Sequence, residues 1–112
     1  GMPEVLLATA ALANPKLNGK VALVSDARVS GVSHGAIGIH CAPEAAVGGP
    51  IASVVDGDNI SIDLLEGKIT WEGAGDNTQK FSPFNGEEIY LREFSRNSAQ
   101  ANRGCVSKTV LE

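Results

Sequence analysis

Aromatic residues are scarce in this chain of 112 residues, which contains one Trp, one Tyr and three Phe. The core therefore has to be built from Val, Ile, Leu and Ala, and one domain of this length buries roughly 65% of its unfolded surface. The nine basic residues form no cluster, so no phosphate-binding footprint indicates a nucleic-acid partner. No apolar run approaches the ~20 residues of a membrane span, and the sequence predicts no membrane partner.

Cysteine is equally rare. Cys41 and Cys105 are the two thiols, and they lie far apart in the sequence. Their spacing fits neither a redox pair nor a zinc site, so we interpret them as ordinary thiols in a reducing compartment. The apolar stretch 5–12 follows Glu4 and has no basic leader, which gives no indication of a secretory signal. We therefore expect a cytoplasmic protein.

The first segment with a clear local signal is a helix over residues 3–12. Pro3 suits the first turn, and Asn14 followed by Pro15 stops the helix. Its apolar residues surround the axis instead of forming one stripe, and such a helix requires burial on more than one side. In so short a chain, this pattern indicates a missing partner surface.

Short apolar and alternating runs predict several strands. Residues 21–24 and 51–55 are apolar runs typical of buried strands, and residues 60–64 alternate between apolar and polar. The Asp-Gly turn at 56–59 predicts a hairpin, and a second turn at 66–68 lets the alternation continue. Short strands with turns and peripheral helices favour an α+β fold, mainly β with flanking helices, in the form of a small barrel or curled sheet.

A helical turn, a second helix and a tail complete the single domain. Residues 43–47 favour a helical turn with Glu44 near its positive end. Asn85, with Glu88 three residues later, is a capping-box variant that predicts a helix through about Phe94. Residues 96–112 are polar and small, which favours either a flexible tail or a segment that needs a partner to become ordered.

One polar, glycine-rich segment, the candidate loop of residues 25–35, directly follows the first apolar run and carries the groups suited to chemistry. It contains a carboxylate (Asp26), a guanidinium (Arg28), a hydroxyl beside a glycine (Ser30) and an imidazole (His34). Its spacing fits neither a dinucleotide loop, nor a P-loop, nor the nucleophile elbow of hydrolases. From the residues alone, it is either a site for a small anion or a polar turn with satisfied hydroxyls.

Three linked motifs resemble a known family. Residues 20–35 contain an apolar strand followed by Asp-Ala-Arg-Val-Ser-Gly, residues 42–51 read Ala-Pro-Glu-Ala-Ala-Val-Gly-Gly-Pro-Ile, and Asp-Gly-Asp follows at 56–58. Their order and spacing resemble the dihydroxy-acid and sugar-acid dehydratase family. Ala27, in place of the commoner glycine, resembles the branch associated with xylonate-type aldonic acids. The resemblance implies that residues 1–112 are a small swivelling-type β-barrel, the C-terminal domain of a larger dehydratase.

The resemblance also implies an activity and a set of roles. Family enzymes are hydro-lyases that convert a 2,3-dihydroxy acid or aldonic acid to a 2-keto-3-deoxy acid. Ser30 matches the family's proposed catalytic base, and it would need nearby cationic charge because a free hydroxyl is a very weak acid. Gly31 and Ser33 are expected to bind substrate, whereas Asp26 and Arg28 are expected to brace the loop by a mutual salt bridge.

The implied cofactors exceed what this chain can hold. An iron–sulfur cluster needs three or four thiolates, whereas the chain has two cysteines, and we predict no metal ligand here. The family resemblance places the cluster and Mg²⁺ in an N-terminal domain of the same enzyme, with a small hydroxy acid as substrate and a homo-oligomer as the full-length assembly. The isolated domain is then expected to be inactive. The alternative is a stand-alone barrel that binds a small acid or a partner protein without catalysis.

Overall fold

The computed structural model of the chain describes residues 4–29, 33–73 and 88–112. Helices and strands are mixed, which confirms the α+β class. The helices are α1, Leu6–Leu12, and α2, Ile89–Asn97, and the strands are β1, Ala22–Val24, β2, Ala36–Gly38, β3, Asn59–Asp63, and β4, Lys68–Glu72. Within these ranges, 3₁₀ helices cover Ala45–Val47, Pro50–Ser53, Ala101–Arg103 and Lys108–Val110.

Strands β1 and β2 form a two-stranded parallel sheet, with Ala22 opposite Ala36 and Val24 opposite Gly38. The first strand, which the apolar run at 21–24 predicted, is therefore confirmed. Parallel strands cannot be joined by a tight turn, and the connection here is the polar, glycine-rich segment. Both strands consequently end at the same edge of the sheet, where the functional groups of that segment begin.

Strands β3 and β4 form an antiparallel hairpin, as the alternating pattern predicts. The cross-strand pairs Ile60–Trp71 and Ile62–Ile69 lie on one face, and polar pairs lie on the other. The apolar face contacts β2, since a Cβ added to Gly38 would lie 2.7 Å from Cδ1 of Ile69. The absence of a side chain at Gly38 thus lets the hairpin pack closely on the parallel sheet.

The predicted strand at 51–55 is wrong. This stretch instead contributes to the 3₁₀ helix Pro50–Ser53, in which the amide of Ala52 donates to the carbonyl of Gly49 at 3.0 Å. A short apolar run does not distinguish a buried strand from a buried helical turn. Proline at the first helical position decides for the helical turn, because its fixed φ suits that position and its missing N–H is not needed there.

The turn at 56–59 is present, but no strand precedes it, so the predicted hairpin at this point is also wrong. The turn leads directly into β3. Asp58 organises it, because Oδ2 accepts hydrogen bonds from the amide of Val55 at 3.0 Å and from Nε1 of Trp71 at 2.8 Å. This one carboxylate therefore holds the turn against β4.

The second helix ends later than predicted, at Asn97, and Asn85 lies outside the described residues. After the helix the chain turns back on itself, with the amide of Ala99 donating to the carbonyl of Val106 at 2.8 Å. Flexibility of residues 96–112 in solution stays a prediction. Neither α1 nor α2, the helices of the described ranges, has the length and apolar character needed to cross a membrane.

Few side chains are fully buried among the described residues. The buried apolar ones are Leu12, Ala27 and Ala99, joined by the polar Thr9 and Glu44. Valine and isoleucine side chains, which the composition predicts as core, remain half-buried or exposed wherever the structure describes them. A core this thin leaves much apolar surface for another polypeptide to cover.

Candidate functional site

The polar segment that follows β1 is held in place by backbone hydrogen bonds to the segment that follows β2. The amide of Ser25 donates to the carbonyl of Gly38 at 2.9 Å, and the amide of Cys41 donates to the carbonyl of Ser25 at 3.2 Å. A third bond joins the same two segments, since the amide of His40 donates to the carbonyl of Ala27 at 3.1 Å. The backbone at the start of the candidate loop is therefore held by hydrogen bonds like those between strands of a sheet.

The N-terminal segment supports the other side of the same loop. The amide of Val5 donates to the carbonyl of Arg28 at 3.2 Å, and Glu4 and Arg28 form an isolated parallel bridge. Their side chains also approach, with Nη1 of Arg28 3.7 Å from Oε2 of Glu4. An ion pair this exposed adds little stability, so the backbone contacts provide most of the attachment.

Asp26 connects the loop to a third segment. Its Oδ2 accepts a hydrogen bond from the amide of Ala45 at 2.7 Å, at the start of the 3₁₀ helix Ala45–Val47. Both predicted bracing residues, Asp26 and Arg28, thus contact other segments of the chain. The sequence predicted a salt bridge between the two residues and neither of these contacts. The adjacent amide of Glu44 donates to Oε1 of Gln100 at 2.6 Å. Two side chains from distant segments therefore cap two consecutive amides.

Substituting Asp26 by alanine should lower the free energy of unfolding by about 1–2 kcal/mol, because the amide of Ala45 loses a charge-assisted acceptor. Urea unfolding of the chain measures the loss, and hydrogen exchange at the Ala45 amide should accelerate. Asp56→Ala is the matched control, since Asp56 is exposed at a turn. Equal effects of the two substitutions would contradict the capping role.

The predicted site residues differ in what the structure says of them. Ser30 and Gly31 lie outside the described residues. Ser33 is half-buried, and its Oγ is buried without a hydrogen-bond partner in the described part of the chain. His34 is exposed. A buried hydroxyl without a partner costs free energy, so the position of Ser33 is suited to a polar group supplied by a ligand or another domain.

A cleft of about 540 Å³ lies next to this loop. It opens between the apolar face of the β3–β4 hairpin and the segment after β2, and Asp26, Arg28 and Ser33 are not among its lining residues. Aliphatic side chains and Trp71 form most of the wall, and a few polar groups interrupt it. Those polar groups belong to His40, Cys41, Lys68, Thr70 and Asn102.

The surroundings of Cys41 make its thiol less acidic, which the sign of its pKa shift shows. Burial raises the pKa of the Cys41 thiol above its ordinary value, a backbone hydrogen bond from Ser25 opposes the shift, and the negative charge of Asp26 adds to it. A thiol with a raised pKa is mostly protonated at neutral pH and reacts slowly. Because the unfolded thiol ionises first, the free energy of unfolding should fall as the pH rises through the folded pKa.

Asp26→Asn should speed the alkylation of Cys41 severalfold at pH 8, because removing the negative charge lowers the pKa of the thiol and raises the thiolate fraction. Iodoacetamide labelling in a Cys105→Ser background, followed by mass spectrometry, isolates Cys41. Asp56→Asn changes the net charge equally and should leave the rate unchanged. If both substitutions accelerate labelling to the same extent, the effect of Asp26 on Cys41 is not local.

Two features of the site escaped the sequence. Glu44 does begin a helical turn, as predicted, but its side chain is also buried, with 8% of the residue exposed. Gln100 carries no sequence signal of a role in the site, and its contact with Glu44 spans 56 positions of the sequence. No periodicity or local motif indicates a contact at that separation.

Metal-binding groups do not converge in the part of the chain that the structure describes, where no set of three or more His, Cys, Asp or Glu side chains could hold an ion. Neither Cys41 nor Cys105, the two cysteines of the chain, is in a disulfide. An iron–sulfur cluster requires three or four thiolates, so the residues of this chain do not fit one.

The match to known proteins covers the candidate loop and the segments that form hydrogen bonds with it. Residues 1–105 match the model of the dihydroxy-acid/6-phosphogluconate dehydratase C-terminal family. The chain belongs to this family. Dihydroxy-acid dehydratase from Aeropyrum pernix is 43% identical over 112 residues, which cover 96% of this chain and 20% of that protein.

Two further dehydratases agree with the family assignment. The dihydroxy-acid dehydratase from Lachnospira eligens is 42% identical over 97% of this chain and 21% of its own length. The one from Pyrobaculum neutrophilum is 56% identical over 70 residues, or 62% of this chain and 12% of its own length. The chain thus spans about a fifth of the length of the first two relatives, at the end that the family description calls C-terminal.

Proposed function

We propose that this chain is the C-terminal domain of a hydro-lyase and supplies the loop that carries its catalytic base. The observation that carries the proposal is the family match over residues 1–105, which includes the whole segment from Asp26 to Ser33. The three attachments of that segment support it, since a base must be held within a fraction of an ångström of its substrate. Asp26 and Arg28 act as braces between segments.

The chain's own part in the reaction is proton abstraction. Ser30, as its alkoxide, removes the proton from C2 of a 2,3-dihydroxy acid, and the bond between C3 and its hydroxyl oxygen breaks. Ser30 then returns this proton to the leaving hydroxide, which departs as water. The resulting enol tautomerises to the 2-keto acid. Ser33, with its buried hydroxyl, and the backbone amide of Gly31 hold the substrate.

The remaining parts of the enzyme lie outside this chain. The iron–sulfur cluster and Mg²⁺ belong to an N-terminal domain, in line with the two cysteines found here. The full-length protein is a cytoplasmic homo-oligomer, and the two small sheets described above belong to one swivelling-type β-barrel. Without the N-terminal domain, this chain is inactive.

The substrate is either a 2,3-dihydroxy acid or an aldonic acid. The names of the relatives favour the first class, and Ala27 in the loop favours the second. Ala27 is buried, with 4% of the residue exposed, so it acts on the loop backbone and not by touching substrate. Its influence on specificity would therefore be indirect.

The test is turnover by the full-length protein that carries this domain, purified without oxygen and given 2,3-dihydroxy acids and aldonic acids in parallel. We expect a 2-keto acid from one of the two classes, detected as its semicarbazone. Binding of these acids without formation of any 2-keto acid would favour the stand-alone binding role instead.

A further inference from the structure

Helix α1 buries its one polar side chain and exposes most of its apolar side chains, whereas a surface helix usually does the opposite. Thr9 and Leu12 face inward and are 0% and 5% exposed, and Val5 is half-buried on the same side. Thr9, the polar residue of the helix, is thus its most buried side chain, and its hydroxyl donates to the carbonyl of Leu6 at 3.0 Å. One stripe of the helix is accordingly packed against the domain.

Every exposed residue of α1 is apolar. Leu7 is 89% exposed and Leu6 is 48% exposed, and Ala10 and Ala11 lie one turn further along on the same sides of the helix. A helix that faced water would carry charged side chains there. The sequence predicted a missing partner surface for this helix, and the exposed face of Leu6, Leu7, Ala10 and Ala11 is the surface concerned.

The length of the relatives indicates what covers this face. Four fifths of a dihydroxy-acid dehydratase such as that of Aeropyrum pernix has no counterpart in this chain, and the matching family model is a C-terminal one. The helix α1 is the first element described, so its face is the apolar surface nearest in sequence to any preceding polypeptide. Its start is also fixed beside the candidate loop through the Glu4–Arg28 bridge.

We infer that the exposed face of α1 docks on the polypeptide preceding this domain in the full-length enzyme. The inference rests on the proposed function and adds the surface by which the two parts meet. The matching surface must be apolar and uncharged, with a recess for the side chain of Leu7. Docking there would bring the N-terminal part directly next to the segment that carries Ser30, as a shared active site requires.

The test uses the full-length protein with a protease site inserted ahead of Gly1. After cleavage, the two pieces should still elute together on size exclusion, because the α1 face holds them. Leu7→Glu should weaken the association by about 10- to 100-fold, the loss expected for one buried leucine. Ala11→Lys, which places a charge one turn away on the same side, should separate the pieces too, and Leu7→Met should keep them together.

Leu65→Glu is the matched control, since Leu65 is 98% exposed at the β3–β4 turn. It introduces the same negative charge at a position outside α1. Circular dichroism of each separated variant domain checks that it remains folded. Retention of both charged variants as tightly as Leu65→Glu would overturn the inference. Self-association of the cleaved domain that Leu7→Glu abolishes would also overturn it, in favour of a second copy. Since elution needs no turnover, intact docking without dehydratase activity would reject only the proposed function.

Discussion

Replacing Ser30 by alanine should lower the kcat of the full-length protein, assayed as the proposed dehydratase, by about 10²- to 10⁴-fold, the range that a positioned general base contributes. If Ser30 is the base, its removal leaves no acceptor for the proton on C2, the carbon next to the substrate carboxylate. The KM should change little, because the hydroxyl acts in the transition state and not in uniform binding. Steady-state formation of the 2-keto acid measures both constants.

Ser61→Ala is the matched control for this substitution, since Ser61 is exposed on β3 and the same atoms are removed. Ser33→Ala provides a second comparison and should raise KM more than it lowers kcat, because Ser33 is proposed to bind substrate. A Ser30→Ala enzyme with a kcat within about twofold of the wild type would contradict the assignment of the base.

Gly49→Ala should lower the free energy of unfolding by at least about 3 kcal/mol, at the upper end for a single methyl group. The backbone conformation of Gly49, with φ −63°, is open to any residue. The obstacle is space, because an added Cβ would lie 1.8 Å from the carbonyl oxygen of Pro43 and 2.8 Å from that of Glu44. The backbone of the turn that Asp26 caps would have to move. Urea unfolding of the chain measures the effect.

Gly67→Ala separates lack of space from backbone strain. Gly67 has φ +61° at the β3–β4 turn, and no atom lies within 4 Å of an added Cβ. Alanine in this left-handed conformation should cost only about 1 kcal/mol. If Gly49→Ala destabilises the chain no more than Gly67→Ala does, the packing of Gly49 against Pro43 is not a constraint on the fold.

Local patterns predicted the elements whose partners are close in sequence. The β3–β4 hairpin follows from alternation across a short turn, and the end of α1 at Leu12 follows from Asn14-Pro15. The start of α1 was predicted too early, since the helix begins at Leu6 and not at residue 3. The apolar run at 51–55 was misread as a strand because length and apolarity do not distinguish the two conformations, and Pro50 decided for a helical turn. The elements around the candidate loop were therefore only partly predictable.

The sequence by itself determined the α+β class, the motif-bearing loop after β1 and its family, since these depend on residue types at fixed short spacings. The tertiary structure decided which side chains meet across the chain: Asp26 with the amide of Ala45, Gln100 with the amide of Glu44, and Glu4 with Arg28. These contacts depend on how the segments pack, and no local pattern encodes that packing. It also decided which face of α1 is left uncovered, because an apolar helix can bury any of its sides until a neighbour selects one.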